Sequence, residues 1–173
     1  MDRIVLSTVV YRTPEETFPY LCAFDRYPHY TEHLQTVVKR GDGGVGTEYD
    51  LRLAWWKLTY TAHSRVTAIE EPTSLEWCLY EDLDAEGEWR VEPEPDSAPE
   101  DEETASRIYF SATYDPHSAN EDALSLPRFV SLDWVIRKLE PRLLAEAERV
   151  VKRLVADVEG RPRDVELVVH ERP

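Results

Sequence analysis

Residues 132–160 read LDWVIRKLEPRLLAEAERVVKRLVADVEG, and their periodicity sets the architecture. Leu132, Val135, Ile136, Leu139, Leu143, Ala147, Val150, Val151, Leu154, Val155 and Val158 recur at intervals of three and four, which is one face of an α-helix. The pattern predicts a helix of about 28 residues, roughly 40 Å long. Gly160 ends it, and Pro141, which lacks an amide N–H, predicts a kink or short break near Glu140. One amphipathic helix of this length needs an apolar surface to lie on, and the rest of the chain must supply it.

That surface is a meander. From residue 46 to 115 the chain alternates with period two. In TEYDLRLAWW (47–56), Tyr49, Leu51, Leu53 and Trp55 share one face, and Glu48, Asp50 and Arg52 the other. LTYTAHSRVTAI (58–69) places Tyr60, Ala62, Ser64, Val66 and Ala68 opposite His63 and Arg65, and LEWCLYE (75–81) aligns Leu75, Trp77 and Leu79. GEWRVE (87–92) and SRIYFSATYD (106–115) read as further strands whose inward parity the sequence leaves open. Between them EPEPDSAPEDEE (92–103) holds seven acids and three prolines, a composition that predicts a mobile hairpin extension.

Ahead of the meander, RIVLSTVVYR (3–12) reads as a strand. Thr13 then caps a helix with Pro14 first and Glu15 and Glu16 in its first turn, and Phe18, Leu21 and Cys22 form its apolar face. Pro28 breaks that helix within AFDRYPHY (23–30), leaving HYTEHL one or two further turns before the strand QTVVKRG. After the long helix, DVELVVHE (164–171) is a candidate edge strand, within a tail spanning 161–173. The sum is one α+β domain over 1–173: a curved antiparallel sheet gripping a long C-terminal helix, with two short helices between strands 1 and 2.

Composition limits the function. Thirty-five acids against twenty bases give a net charge of −15, which argues against nucleic acid as a partner. Four of the bases are lysine and sixteen arginine, so the surface is acidic and lysine-poor, the character of proteins adapted to high salt. No apolar run is long enough to span a bilayer, so no stable membrane insertion is expected. The N-terminal MDRIVLSTVVYRTPEE lacks the form of a secretory signal, and the expected location is cytoplasmic. Cys22 and Cys78 fit two buried free thiols, and no metal or other cofactor is expected. His29 and His33 stand four apart but have no third ligand beside them. Between Arg137 and Arg153 six bases face three acids, a local exception to the overall charge.

The first strand running into RTPEETFPYLCAFDRYPHYTEHLQTVV (12–38), the strand start GVGTEY (44–49), SRVTAIEEPTSLEW (64–77) and the last helix over about 129–159 resemble the START-like, or SRPBCC, superfamily with its helix-grip fold. Within it the chain is most similar to the polyketide cyclase/dehydrase and coenzyme Q-binding-like branch. The resemblance implies a deep cavity between sheet and helix, with AFDRYPHY covering one entrance and presenting Tyr27 and Tyr30 to a ligand. It also implies the partner: a lipid, an isoprenoid quinone or a polycyclic compound.

Three functional readings then stand. In the first, the protein carries a small hydrophobic molecule without catalysis, bound by Tyr27, Tyr30, Tyr49, Leu51, Leu53, Trp55, Trp77, Leu79, Phe110, Trp134 and Val135. In the second it is a cyclase, aromatase or dehydratase with His63, Arg65, Glu76 and Tyr80 in acid–base roles. That requires the polar faces of their strands to point into the cavity, whereas the apolar faces are the natural lining. In the third, side chains fill the core and the domain is an interaction module. The ligand and the oligomeric state are not legible.

Overall fold

The computed structural model describes all residues, 1–173. Strand β1 (Asp2–Val10) leads into α1 (Pro14–Cys22). Strands β2 (Leu34–Arg40), β3 (Glu48–Trp55), β4 (Leu58–Glu70), β5 (Ser74–Leu79), β6 (Ala85–Pro93) and β7 (Ser106–Tyr114) follow, then α2 (Leu132–Glu159) and β8 (Val168–Glu171). All eight strands form one antiparallel sheet in the order β2-β3-β4-β5-β6-β7-β1-β8. The α+β helix-grip architecture is therefore present, and the candidate edge strand is real but short. It pairs outside β1, and Thr8 Oγ1 ties the approach to it by donating to the Glu166 carbonyl at 2.7 Å.

Local chemistry explains the helix ends. Thr13 Oγ1 accepts from the Glu16 amide at 3.1 Å while Glu16 reaches back to the Thr13 amide at 3.3 Å, a complete capping box. Ser131 Oγ accepts from the Trp134 amide at 3.2 Å to start α2, and Gly160 ends it in the left-handed region at φ 78°.

Three expectations need correction. Pro141 does not break α2, which is continuous from Leu132 to Glu159. Both Pro141 and Arg137, whose carbonyl loses its helical donor, are exposed, so the vacant acceptor faces solvent rather than the core. The second short helix is a 3-10 segment, Phe24–His29, rather than turns within HYTEHL. The acidic stretch 92–103 is not wholly solvated but is anchored at Glu94 and Glu102. Arg107 clamps Glu94 at 3.0 and 3.1 Å, and Glu102 accepts from Arg161 at 2.6 Å with Arg12 at 3.6 Å. Arg107, Arg12 and Arg161 hold two of its seven acids, while Asp96, Glu100, Asp101 and Glu103 stay exposed.

The main core sits at one end of the grip. Phe18, Leu21, Phe24, Tyr30, Tyr49, Val66, Leu75 and Trp89 meet Val151, Leu154, Val155 and Val158 there, all buried. Glu159 fastens the end of α2 to β1: it is 6% exposed, accepts from Arg163 at 2.7 and 2.9 Å, and accepts from the Tyr11 amide at 2.9 Å. Cys22 and Cys78 are free and half-buried, and burial pushes the Cys22 thiol up to about 12.

Candidate functional site

Burial along α2 is uneven, and this locates the site. Leu132 and Val135 are buried near its start and Val151, Leu154, Val155 and Val158 near its end. The middle is different: Leu139, Leu144, Ala147 and Val150 are only half-buried and Leu143 is 40% exposed, although all belong to the apolar face. A helix seated along its whole length would bury its central leucines first. The sheet opposite shows the same deficit. Leu51, Trp55, Trp77, Leu79 and Phe110 point to the concave side yet are half-buried, and Leu53 is 38% exposed. Leu144 and Ala147 still touch the sheet at the Ile4, Leu6 and Ala112 cluster of β1 and β7, so the uncovered apolar surface forms a trough between the middle of α2 and the β3–β5 side of the sheet.

The tyrosine elbow closes one end of this trough. Phe24 meets Tyr27 and Tyr49 edge-on at centroid distances of 5.1 and 5.0 Å. Tyr27 donates its hydroxyl to the Leu21 carbonyl, and Tyr30 donates to Asp157 at 2.5 Å. Burial and the neighbouring Asp157 carboxylate hold the Tyr30 hydroxyl protonated, with its pKa well above the usual phenol. The expectation that Tyr27 and Tyr30 face a ligand is corrected here, because both hydroxyls are already engaged by protein acceptors. Tyr49, 1% exposed, belongs to the same plug.

At the other end, Trp56 connects β3 to α2: its ring lies 6.4 Å from Trp55 and 5.4 Å from Trp134. Along the floor, Trp77 stacks on Phe110 at 6.4 Å and 18°, and Trp89 leans on Phe110 at 4.9 Å. The strand registers settle the parity that the sequence left open: Gly87, Trp89 and Val91 share the concave side with Ile108, Phe110, Ala112 and Tyr114.

Two polar atoms were missed. The hydroxyls of Tyr60 on β4 and Tyr114 on β7 are shielded from solvent and have no hydrogen-bonding partner. Their strand positions match the concave-facing Ala62 and Ala112, and period two had already put Tyr60 on the apolar face of its strand. Burial, with Asp82 and Glu81 nearby, pushes Tyr60 up to about 12, and burial with Asp2 and Glu140 raises Tyr114. Both stay protonated at neutral pH, so each can donate to a guest and neither serves as a base.

The candidate acid–base set lies on the convex face, away from the trough. Arg65 donates to Glu48 at 3.0 Å and lies over the Tyr80 ring at 4.6 Å. Tyr80 donates to Glu48 at 3.1 Å, His63 Nδ1 is 2.8 Å from Asp50, and Arg40 clamps Asp50 at 2.6 and 3.0 Å. Glu76 is exposed and takes no part. The placement that the enzyme reading needed for His63, Arg65, Glu76 and Tyr80 is thereby corrected. Cross-strand pairing of opposite charges on the wet side of the sheet accounts for them. On the same face His63, Glu81 and Asp82 each bring one ligand atom within 4.8 Å of the others, so they could hold a divalent cation. Sequence spacing hides this group because a strand and a turn separate its members. His33 faces Glu146 at 3.8 Å rather than joining His29.

A separate depression of about 740 Å³ lies outside the closed end, between α1 and the β2–β3 and β4–β5 turns. Phe18, Pro19, Cys22 and Ile69 share it with Glu15, Asp25, Asp42, Glu71 and Lys39. Its size invites attention, but four carboxylates and a lysine interrupt its apolar wall and it opens broadly to solvent, so it suits an apolar guest poorly.

The family described as polyketide cyclase / dehydrase and lipid transport matches residues 1–159. The chain belongs to this family. The family match stops short of the tail that carries β8. Among solved structures the chain is similar to TTHA0849 from Thermus thermophilus, with 17% identity, a TM-score of 0.66, and 91% of this chain covering 97% of that one. It is also similar to the di-domain ARO/CYC StfQ from the steffimycin biosynthetic pathway, at 15% identity and a TM-score of 0.55, over 91% of this chain and 51% of that one. A third is Ara h 8.0201, at 18% identity and a TM-score of 0.56, over 89% and 97%. At these identities the likeness shows the shared fold. No curated protein matches the sequence. Family and fold fit ligand binding or polyketide-cyclase-type chemistry, and no helix is long and apolar enough to cross a membrane.

Proposed function

We propose that the protein binds and carries a small hydrophobic molecule in the trough between α2 and the β3–β5 side of the concave face, without transforming it. The observation that carries this reading is the paired deficit of burial. Leu139 and Leu143 on the helix and Leu51, Leu53 and Leu79 on the sheet remain partly uncovered although they lie on the apolar faces of their elements. Covering some 300 Å² of apolar surface at about 25 cal/mol/Å² supplies several kcal/mol of binding free energy. The Tyr60 and Tyr114 hydroxyls supply two donors, which favours a guest with an oxygen at or near its ends: a lipid, a quinone or a polycyclic phenol or ketone.

The non-catalytic reading rests on where the acid–base residues lie. His63, Arg65 and Tyr80 are engaged with Glu48 and Asp50 on the convex face, and the trough's own tyrosines are donors only. Native mass spectrometry of protein purified in high salt, followed by solvent extraction, tests the proposal. A discrete lipophilic adduct is expected. Recovery of a chemically converted form of an added polyketide-like substrate would overturn the non-catalytic reading.

A further inference from the structure

The open end of the trough carries an exposed aromatic and cationic rim. Trp56, at the tip of the β3–β4 hairpin, is 56% exposed, and Phe129, in the loop that leads into α2, is 99% exposed. Both have positive φ, 54° and 74°, in the left-handed region that bulky side chains avoid. The Phe129 ring, almost wholly exposed on a strained backbone, contributes little to folding. Trp56 packs on Trp55 and Trp134 while leaving over half its surface to solvent, so both rings are available to an external partner. Each ring of the rim has a cation beside it. Lys57 is 5.6 Å from the Trp56 centroid, Arg128 5.9 Å from Phe129, Lys138 5.7 Å from Trp134 and Arg142 5.4 Å from Trp55. Residues 55–57 and 128–142 together hold five bases against two acids, in a chain whose net charge is −15.

We propose that this rim docks the protein reversibly on the surface of an anionic phospholipid bilayer. Tryptophan and phenylalanine would settle at headgroup depth, and the lysines and arginines would meet lipid phosphates. Both ingredients are needed, because the acidic remainder of the protein is repelled by the same membrane. That repulsion also biases the molecule to approach with the rim toward the bilayer. A second copy fits the rim less well, because a two-fold contact would bring the same cations together. The inference deepens the carrier reading and rests on it for its purpose: a docked rim sets the end of the trough against the bilayer from which an apolar guest would enter.

Vesicle co-sedimentation tests it, using phosphatidylcholine alone and phosphatidylcholine with about one-third phosphatidylserine, at about 0.1 M salt where charges act over about 10 Å. Binding to the anionic vesicles is expected. Reversing Lys57→Glu and Lys138→Glu should lower the partition coefficient by about fivefold or more for each charge. Trp56→Asn with Phe129→Asn should lower it about tenfold or more. Asparagine tolerates positive φ, so Phe129→Asn alone should melt no lower than the wild type and still weaken vesicle binding, while the melt of the double variant reads the loss of the Trp56 contacts to Trp55 and Trp134. Absence of wild-type binding, binding that the variants do not change, or a dimer that the Asn variant dissociates would each overturn the proposal. A retained lipophilic adduct without vesicle binding would sink docking alone. Vesicle binding by a protein that never carries an adduct would sink the carrier reading alone.

Discussion

Gly87 is where the floor of the trough is most easily broken. A Cβ there would lie 2.3 Å from the Ser111 carbonyl oxygen on β7 and 2.6 and 2.9 Å from two ring atoms of Trp77. Ordinary contact begins near 3.4 Å, so Gly87→Ala must move the oxygen by about 1 Å and the ring by nearly as much. The oxygen belongs to a ladder that holds β6 against β7, and the ring is stacked on Phe110. Overpacking of this kind costs about 3 kcal/mol at the upper end of its usual range. Replacing a strand glycine by alanine returns up to about 1 kcal/mol. The net loss is therefore about 2 kcal/mol, a fall in Tm of about 4–8 °C for a chain of this size. Thermal unfolding followed by circular dichroism measures it, with Gly44→Ala as the control, since its Cβ would meet only the Asp42 side chain at 3.1 Å. A Gly87→Ala protein that melts within about 1 °C of wild type would refute the packing described for Trp77 and with it the floor of the trough.

Three further outcomes are expected. Glu159→Ala should cost about 3 kcal/mol in chemical denaturation, because it strands Arg163 and the Tyr11 amide, while Glu159→Gln keeps an acceptor and should cost clearly less; equal losses would contradict this. Hydrogen bonds from Arg40, with His63 adding to them, hold the Asp50 carboxyl at about 2, below its unfolded value, so its stabilisation is complete above about pH 4 and is lost as pH falls toward 2. Asp50→Asn should flatten that part of the acid limb in a pH series of melting temperatures, and an unchanged slope would count against the ion-pair lattice. With a net charge of −15 the protein should gain stability from dilute buffer to molar salt, and a Tm that does not move would remove the case for salt adaptation.

The fold was legible because its signals are local. Thr13, Pro14 and Glu16 announce α1, period two announces the strands, and the three-and-four recurrence after Ser131 announces α2. What stayed hidden depends on partners distant in sequence. Tyr30 looks like a ligand contact until Asp157, on the last helix, takes its hydroxyl. Glu94 and Glu102 look solvated until Arg107, Arg12 and Arg161 reach them. In β7 both faces alternate plausibly, Ile108 and Phe110 against Tyr109 and Thr113, and only pairing with β6 and β1 decides. The trough itself is a deficit of burial at Leu143 and Leu53, and no periodicity reports how closely a helix approaches its sheet.

Photolabelling tests the central claim most directly. A fatty acid carrying a diazirine on its chain is irradiated with the protein, and the labelled peptides are sequenced. Carriage in the trough predicts labels on residues 139–150 of α2 and on Leu51, Leu53 or Leu79 of the sheet, displaced by excess unlabelled fatty acid. Displaceable labels confined to Phe18, Cys22 and Ile69 around the outer depression would contradict the account, as would the absence of any displaceable label.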